Sequence, residues 1–192
     1  MNIRIALYLL AGITLAGCMA HTPSPHYFLL NPLNPEPVLA DSRKTRVVTL
    51  SAVHIPHYAD RPQIVTSGTD NQYQLDDYNR WAERLDDNIL RVLQQNLSTL
   101  LPDTVILQND SRPNLADTLR LSVDILDILA DSTGTARLVT QWTLARHHQI
   151  VETRQSSHQV HYPSETAPAR VAAINELINR LSHDIAEDLK TN

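Results

Sequence analysis

Apolar residues recur along this chain with two different periods, one typical of strands and one typical of helices. From 119 to 125, apolar residues alternate strictly with polar ones, which predicts a half-buried strand. The alternation slips at Leu126, which predicts a bulge there. Further on, apolar residues at helical spacing predict a helix over residues 168–189: Val171, Ile174, Ile178, Leu181 and Ile185.

The remaining segments extend this pattern to a complete order of elements. Short apolar runs bounded by Pro, Gly or Asn predict strands at 26–31, 46–55, 63–66, 72–75, 104–108, 138–144 and 150–161. Helical spacing from Tyr78 to Leu100, closed by Pro102, predicts a first long helix. The order predicts an α/β fold of the α+β type. It is a mixed, largely antiparallel sheet of about 7–8 strands covered by two amphipathic helices.

The first 25 residues have the pattern of an export signal followed by a tether. Arg4 precedes an uncharged stretch over 5–15, which is shorter than the roughly 20 apolar residues that span a bilayer. The following Leu15-Ala16-Gly17-Cys18 resembles the lipobox of bacterial lipoproteins. We therefore predict a signal peptide at 1–17, an acylated tether at 18–25 and a single periplasmic domain at 26–192. The alternative is an ordinary signal peptide with a chance cysteine.

The resemblance to lipoproteins implies what Cys18 carries and where the protein lies. Covalent diacylglycerol and an N-acyl chain on Cys18 would form a permanent anchor. Because Met19 rather than Asp follows the cysteine, the sorting rule of such lipoproteins implies the outer membrane, on its periplasmic face. Residues 19–25 span at most roughly 23 Å, so the domain is expected close to the bilayer.

Composition and charge exclude several classes of function. The 192 residues carry 16 Lys and Arg against 21 Asp and Glu, for a formal charge of −5, and the cations are not clustered. The sequence therefore lacks the cluster of positive charge that typically binds the phosphate backbone of nucleic acid. Only 4 glycines are present, and no nucleotide-binding glycine loop or G-x-S-x-G nucleophile motif occurs. We predict neither an enzyme nor a bound cofactor.

The histidines and paired carboxylates offer the remaining candidate chemistry. The pairs His54/His57 and His158/His161 fall on predicted strands, where residues three apart point to opposite faces. We therefore predict no metal site, and the alternative is a site assembled across strands. Pairs of adjacent aspartates, at 76–77 and 86–87, are typical of solvated helix faces. Trp81 and Trp142 are expected in the core.

Two short sequence motifs resemble those of a known protein family. Asp-Arg-Pro-Gln-Ile-Val at 60–65 and Arg-Trp-Ala-Glu-Arg-Leu at 80–85, with the strand at 27–30, resemble the ABC-type transport auxiliary lipoproteins, specifically their PqiC (YmbA) group. The family commonly has Pro where this chain has Arg84. With Arg there, we expect the first helix to run unbroken from Tyr78.

The resemblance implies an accessory lipoprotein that docks the distal end of a lipid tunnel built by an MCE-domain partner protein. Candidate contact residues are Arg61, Gln63, Trp81 and Glu83. Alternatively, Arg61 pairs internally with Glu83 or an aspartate and only fixes its loop. The polar edge strand at 150–161 is a second candidate surface and would suit a homo-oligomeric ring. A competing function is an independent periplasmic lipid carrier with its own apolar cavity.

Overall fold

The computed structural model describes residues 23–33, 46–68, 71–108, 118–147 and 149–191. Its strands are β1 (His26–Phe28), β2 (Arg46–His54), β3 (Gln63–Ser67), β4 (Tyr73–Trp81), β5 (Thr104–Gln108), β6 (Leu119–Asp131), β7 (Thr135–Arg146) and β8 (Gln149–His161). Helix α1 (Leu85–Leu100) follows β4, and α2 (Ala167–Thr191) follows β8. The predicted order and the mixed α+β class are confirmed.

Strand β6 lies at the centre of a branched, mixed sheet. Along one edge it pairs with β7 in a long antiparallel ladder, and β7 pairs with β8. Its other edge is shared: β2 pairs with the first half of β6 and β3 with the last two residues, both in parallel. One branch continues from β2 to β5 and the other from β3 through β4 to β1. The bulge predicted near Leu126 is confirmed as a register shift between Ile125 and Asp127.

Both helices cover one face of this sheet. Helix α1 packs on β2 and β5, while α2 packs on β6, β7 and β8. The interface is filled by aliphatic side chains that solvent does not reach, among them Leu50, Leu93, Leu121, Leu138, Leu177 and Leu181. Between the core residues, β6 and β7 alternate polar side chains onto the uncovered face, as expected for a sheet buried on one side.

Tyr58 completes the edge of β6 where the sheet branches. β2 last pairs with β6 at Asp124, and β3 first pairs at Ala130, so the intervening backbone lacks a neighbouring strand. The Tyr58 hydroxyl accepts the Ile128 N–H at 2.9 Å and donates to Asp127 at 2.8 Å. Its ring stacks on Tyr73, with centroids 5.2 Å apart. The Tyr58 side chain therefore supplies a hydrogen-bond acceptor that a neighbouring strand would otherwise provide.

The first helix begins later than predicted. The expected unbroken helix from Tyr78 is wrong, because β4 continues to Trp81 and α1 begins at Leu85. Pairing with β3 on one side and β1 on the other holds residues 79–81 extended. Arg84 precedes the helix with φ −56° and ψ 139°, which is extended backbone within the φ range of proline. Replacing Pro by Arg therefore does not move the helix start.

Other boundaries agree more closely with the prediction. The second helix extends only one or two residues beyond the predicted 168–189. The predicted turn after Asp131 contains Gly134 at φ 85°, where a Cβ would lie 2.9 Å from the Tyr162 carbonyl oxygen. The segment Gly68-Thr69-Asp70-Asn71 separates two predicted strands and has the composition of a turn, but Thr69 and Asp70 lie outside the described residues. Pro35 and Pro37, which follow the first predicted strand, also lie outside them.

Asparagine side chains hold the N-terminal segment against the helices. The backbone N–H of Leu30 donates to Asn88 Oδ1 at 3.2 Å, and that of Leu33 to Asn96 Oδ1 at 2.7 Å. Asn31 N–H donates to Asn175 Oδ1 at 2.6 Å. These bonds join residues 30–33 to both helices, and we refer to them as the asparagine clamp.

Replacing Asn96 tests the clamp. Asn96 is fully buried, and its amide also donates to Asn179 at 3.0 Å and to Ser182 at 2.9 Å. Asn96→Ala would leave buried polar groups unpaired, so we expect a loss of about 2–3 kcal/mol of unfolding free energy. Urea unfolding of the mature chain carrying Cys18→Ser measures it. The exposed neighbour Gln95→Ala is the control. Equal midpoints for both variants would contradict the clamp.

Tyr58→Phe tests the branch point. Loss of the hydroxyl orphans the Ile128 N–H, so we expect about 1–2 kcal/mol of destabilisation at neutral pH. Tyr73→Phe, which keeps the ring of a residue 52% exposed, serves as the control.

The same variant has a signature at high pH. Burial, with smaller contributions from Asp127, raises the pKa of the Tyr58 hydroxyl above its usual 10.0. A raised pKa in the folded state gives stability that is complete below pH 10 and is lost as pH rises above it. The free energy of unfolding, measured from pH 8 to 11, should therefore fall less steeply with rising pH for Tyr58→Phe than for the parent protein. Identical slopes would argue against a buried Tyr58 hydroxyl.

Candidate functional site

The two sequence motifs at 60–65 and 80–85, which carry the family resemblance, lie beside each other at one surface cleft. The Trp81 N–H donates to the Pro62 carbonyl oxygen at 2.7 Å, and Gln63 pairs with Arg80 across β3 and β4. These bonds place the loop before β3 beside the loop before α1. Between them lies a cleft of about 470 Å³, lined by Asp60, Arg61, Pro62, Trp81, Ala82, Glu83 and Arg84.

The structure brings three of the four predicted contact residues into the cleft. Arg61, Trp81 and Glu83 line it, whereas Gln63 lies just beyond, at the start of β3. Trp81 is 5% exposed and belongs to the core, as expected, although it ends a strand rather than lying on a helix. Arg61 is exposed at the rim.

Arg61 does not make the internal ion pair that was its alternative role. Glu83 accepts instead from Arg91, at 3.0 Å from Nε and 2.8 Å from an Nη atom. Asp60 lies 3.4 Å from Arg84. Within the described ranges, the Arg61 guanidinium has neither a hydrogen bond nor an ion pair. Its planar set of donors is thus available for an external acceptor.

Arg84, which the sequence analysis did not select as a site residue, joins the two walls of the cleft. Its guanidinium makes a bidentate contact with Asp86, at 3.1 and 2.7 Å, and also reaches Asp60. Hydrogen bonding to Arg84 lowers the pKa of the Asp86 carboxyl, against the opposing effect of burial. The carboxylate of Asp87 makes a longer ion pair with Arg84, at 3.8 Å from Nε. The signal available in the sequence was a single cation, Arg84, flanked by Glu83, Asp86 and Asp87.

Arg91 fixes the remaining wall. From α1 it donates to Glu83, to the Leu30 carbonyl oxygen at 3.2 Å and to Asn88 Oδ1 at 2.9 Å. The loop before α1 is thereby attached to the clamped N-terminal segment. Ion pairs and hydrogen bonds of Arg84 and Arg91 thus hold the walls of the cleft, and the unpaired guanidinium of Arg61 lies at its rim.

The chemistry of the cleft suits recognition rather than reaction. Its lining combines balanced charges with the rigid apolar surfaces of Pro62 and Trp81. An unpaired Arg beside such surfaces can form a bidentate contact with a carboxylate of another chain.

Two of the described histidines, His54 and His158, each contact one carboxylate. His54 is 3.2 Å from Asp124 and His158 is 2.7 Å from Asp184, each a single contact. His57 lies in a turn after Pro56, so its assignment to a strand was wrong, because Pro56 ends β2. Across the described part of the chain, no group of three or more metal-binding side chains comes together. His148 lies outside that part.

The predicted edge strand is also present. β8 pairs with β7 alone among the described strands, which leaves its other edge without a strand partner. Arg180 donates to the Gln159 carbonyl oxygen at 3.2 Å and thereby occupies one group near that edge.

Neither described helix is long and apolar enough to cross a membrane.

Comparisons with known proteins agree with the sequence motifs. The family model of the ABC-type transport auxiliary lipoprotein component matches residues 27–186. The intermembrane transport lipoprotein PqiC of Escherichia coli K12 is 27% identical over 148 residues, which cover 76% of this chain and 76% of that protein. The same protein of Shigella flexneri matches equally.

Solved structures share the fold. A crystal structure of an uncharacterized protein superposes with a TM-score of 0.74 at 22% identity, covering 87% of this chain and 99% of the other. A protein from Xanthomonas campestris gives 0.68 at 14% identity, covering 84% and 92%.

Arg84→Pro tests how the cleft wall is built. Because Arg84 already has a proline-like φ and its side chain is 60% exposed, we expect the unfolding free energy to change by no more than about 1 kcal/mol. The pKa of Asp86, followed by NMR titration, should rise back toward 3.8. Gln95→Pro, in the exposed interior of α1, should instead cost about 3 kcal/mol. Equal losses would mean that α1 begins before residue 84.

Proposed function

The chain belongs to the ABC-type transport auxiliary lipoprotein family, and we propose that it is the outer-membrane lipoprotein of an MCE-type intermembrane lipid transport system. In this proposal, acyl chains on Cys18 hold it at the periplasmic face of the outer membrane. The folded domain docks the distal end of a tunnel formed by an MCE-domain protein. Similarity to intermembrane transport lipoproteins supports the transport role.

The observation that carries the docking role is the cleft between residues 60–62 and 81–84. Two sequence-distant motifs that carry the family resemblance converge there, and Arg61 is left unpaired although four acidic side chains lie in or beside the cleft: Asp60, Glu83, Asp86 and Asp87. Those carboxylates are engaged by Arg84 and Arg91, so the free guanidinium faces outward for a partner. We propose that the Arg61 guanidinium donates hydrogen bonds to a carboxylate of the MCE-domain protein.

The alternative of an independent lipid carrier has less support. A carrier needs an apolar cavity large enough for acyl chains. The described core between sheet and helices is filled by fully buried side chains such as Leu93, Leu121 and Leu177. The cleft at Arg61 is instead open and lined largely by charged residues.

A homo-oligomeric ring is part of the same proposal. The free edge of β8 presents backbone groups along a strand of 13 residues, and such an edge can pair with a second copy. A ring would present several copies of the cleft to a tunnel with rotational symmetry.

Arg61→Ala tests docking. The full-length acylated protein is extracted in mild detergent after chemical crosslinking in cells, and captured proteins and lipids are identified by mass spectrometry. We expect an MCE-domain protein crosslinked near residues 60–62, and at least about a tenfold loss of its capture with Arg61→Ala. The same sample reports whether copies crosslink through β8.

Arg146→Ala is the matched control, since Arg146 is exposed at the end of β7, outside the cleft. Equal losses for both variants would remove the cleft from the proposal. Bound phospholipid without an MCE-domain protein would favour the carrier.

A further inference from the structure

Two large apolar side chains at the start of the folded domain are exposed. Tyr27 is 62% exposed and Leu29 43%, whereas their neighbours Phe28 and Leu30 pack in the core. The alternation shows that Tyr27 and Leu29 point away from the core, as side chains of an extended segment do on its outer face. We call these two residues the β1 outer face.

We propose that the β1 outer face inserts into the headgroup region of the membrane that carries the lipid anchor. The proposal rests on the proposed acylation of Cys18. It adds a direct protein contact with phospholipid to the covalent anchor.

The length of the tether supports this occupant. Residues 19–25 separate the cysteine from β1 and reach at most roughly 23 Å when fully extended. β1 is the first strand after the tether, so its outer face is the apolar surface closest along the chain to the bilayer.

β1 is also firmly attached to the domain. It pairs with β4, the Phe28 carbonyl oxygen accepts the Ala82 N–H at 2.9 Å, and the asparagine clamp holds the next residues. A rigid apolar pair loses little conformational entropy when it is buried.

The side-chain types fit the membrane interface. Tyrosine combines an apolar ring with a hydroxyl that stays hydrated, which favours the headgroup level of a bilayer. Arg80 lies beside Tyr27 in the parallel register of β1 and β4. Its Nε donates to the Asp77 carbonyl oxygen at 3.1 Å, and in the described part its other guanidinium nitrogens have no partner. They can donate to lipid phosphate.

Ile150 provides a matched control at the opposite side of the sheet. It is 72% exposed, at the start of β8. The path β1-β4-β3-β6-β7-β8 crosses five strand spacings, or roughly 24 Å. The tether is attached next to β1, so it does not by itself place Ile150 at the bilayer.

Single tryptophan substitutions test the contact. Full-length acylated Tyr27→Trp, Leu29→Trp and Ile150→Trp proteins are reconstituted in vesicles of phosphatidylethanolamine and phosphatidylglycerol with brominated acyl chains. After subtraction of the parent signal from the buried Trp81 and Trp142, we expect at least about twofold quenching at positions 27 and 29, with a blue shift. The tryptophan at position 150 should keep its emission.

The outcomes separate the contact from the anchor. The mass of the purified protein and its flotation with vesicles report acylation; an unacylated protein that does not float would overturn both the anchor and this proposal. If the protein floats and positions 27 and 29 are quenched no more than position 150, the anchor stands and the membrane contact is wrong. Because positions 27 and 29 are exposed, both variants should fold like the parent, which circular dichroism checks.

Discussion

Between its last pair with β2, at Asp124, and its first pair with β3, at Ala130, β6 has no described strand along one edge. A buried strand must satisfy its backbone groups, yet no single neighbour covers this edge. The Tyr58 hydroxyl lies in this gap, where it accepts the Ile128 N–H and donates to the Asp127 carboxylate. The branch carries β3, β4 and β1 away from β2 and β5, and the loop between the branches continues directly into the cleft. The bonds of Tyr58 to β6 thus help to fix the position of the loop that forms one wall of the cleft.

The loop after Tyr58 is short and internally bonded, which fixes where Arg61 emerges. Ala59 is buried and its N–H donates to the Pro56 carbonyl oxygen at 2.9 Å, while the Arg61 N–H donates to Ala59 at 2.8 Å. With Tyr58 pinned to β6 three residues earlier, the backbone of Arg61 has little freedom. Its side chain alone remains unconstrained, which is the arrangement a docking residue needs.

Sequence patterns predicted the elements whose period is set by one buried face. The alternation in β6 and the apolar stripe of α2 follow directly from such faces, and both were predicted correctly. The start of α1 was predicted wrongly because Trp81 suits either the last core position of a strand or an early position of a helix. Pairing of β4 with two distant strands decides between them, and a local period contains no information about such pairing.

The candidate site divides in the same way. Two short sequence motifs predicted Arg61, Trp81 and Glu83 as contact residues, and the fold brings all three to the cleft. Their partners could not be predicted, because the choice of Glu83 between Arg61 and Arg91 depends on where α1 begins. With the helix starting at Leu85, Arg91 lies two turns along α1 and faces back toward Glu83. A helix from Tyr78 would have placed Glu83 inside it and changed that geometry.

Arg91 also connects the N-terminal segment with the wall of the cleft. It holds Glu83 at the cleft and the Leu30 carbonyl oxygen in the clamped N-terminal segment. Residues 30–33 are in turn bonded to Asn88, Asn96 and Asn175 on both helices. The Phe28 carbonyl oxygen also accepts the N–H of Ala82 in the cleft lining, so hydrogen bonds join the N-terminal segment both to the helices and directly to the cleft wall.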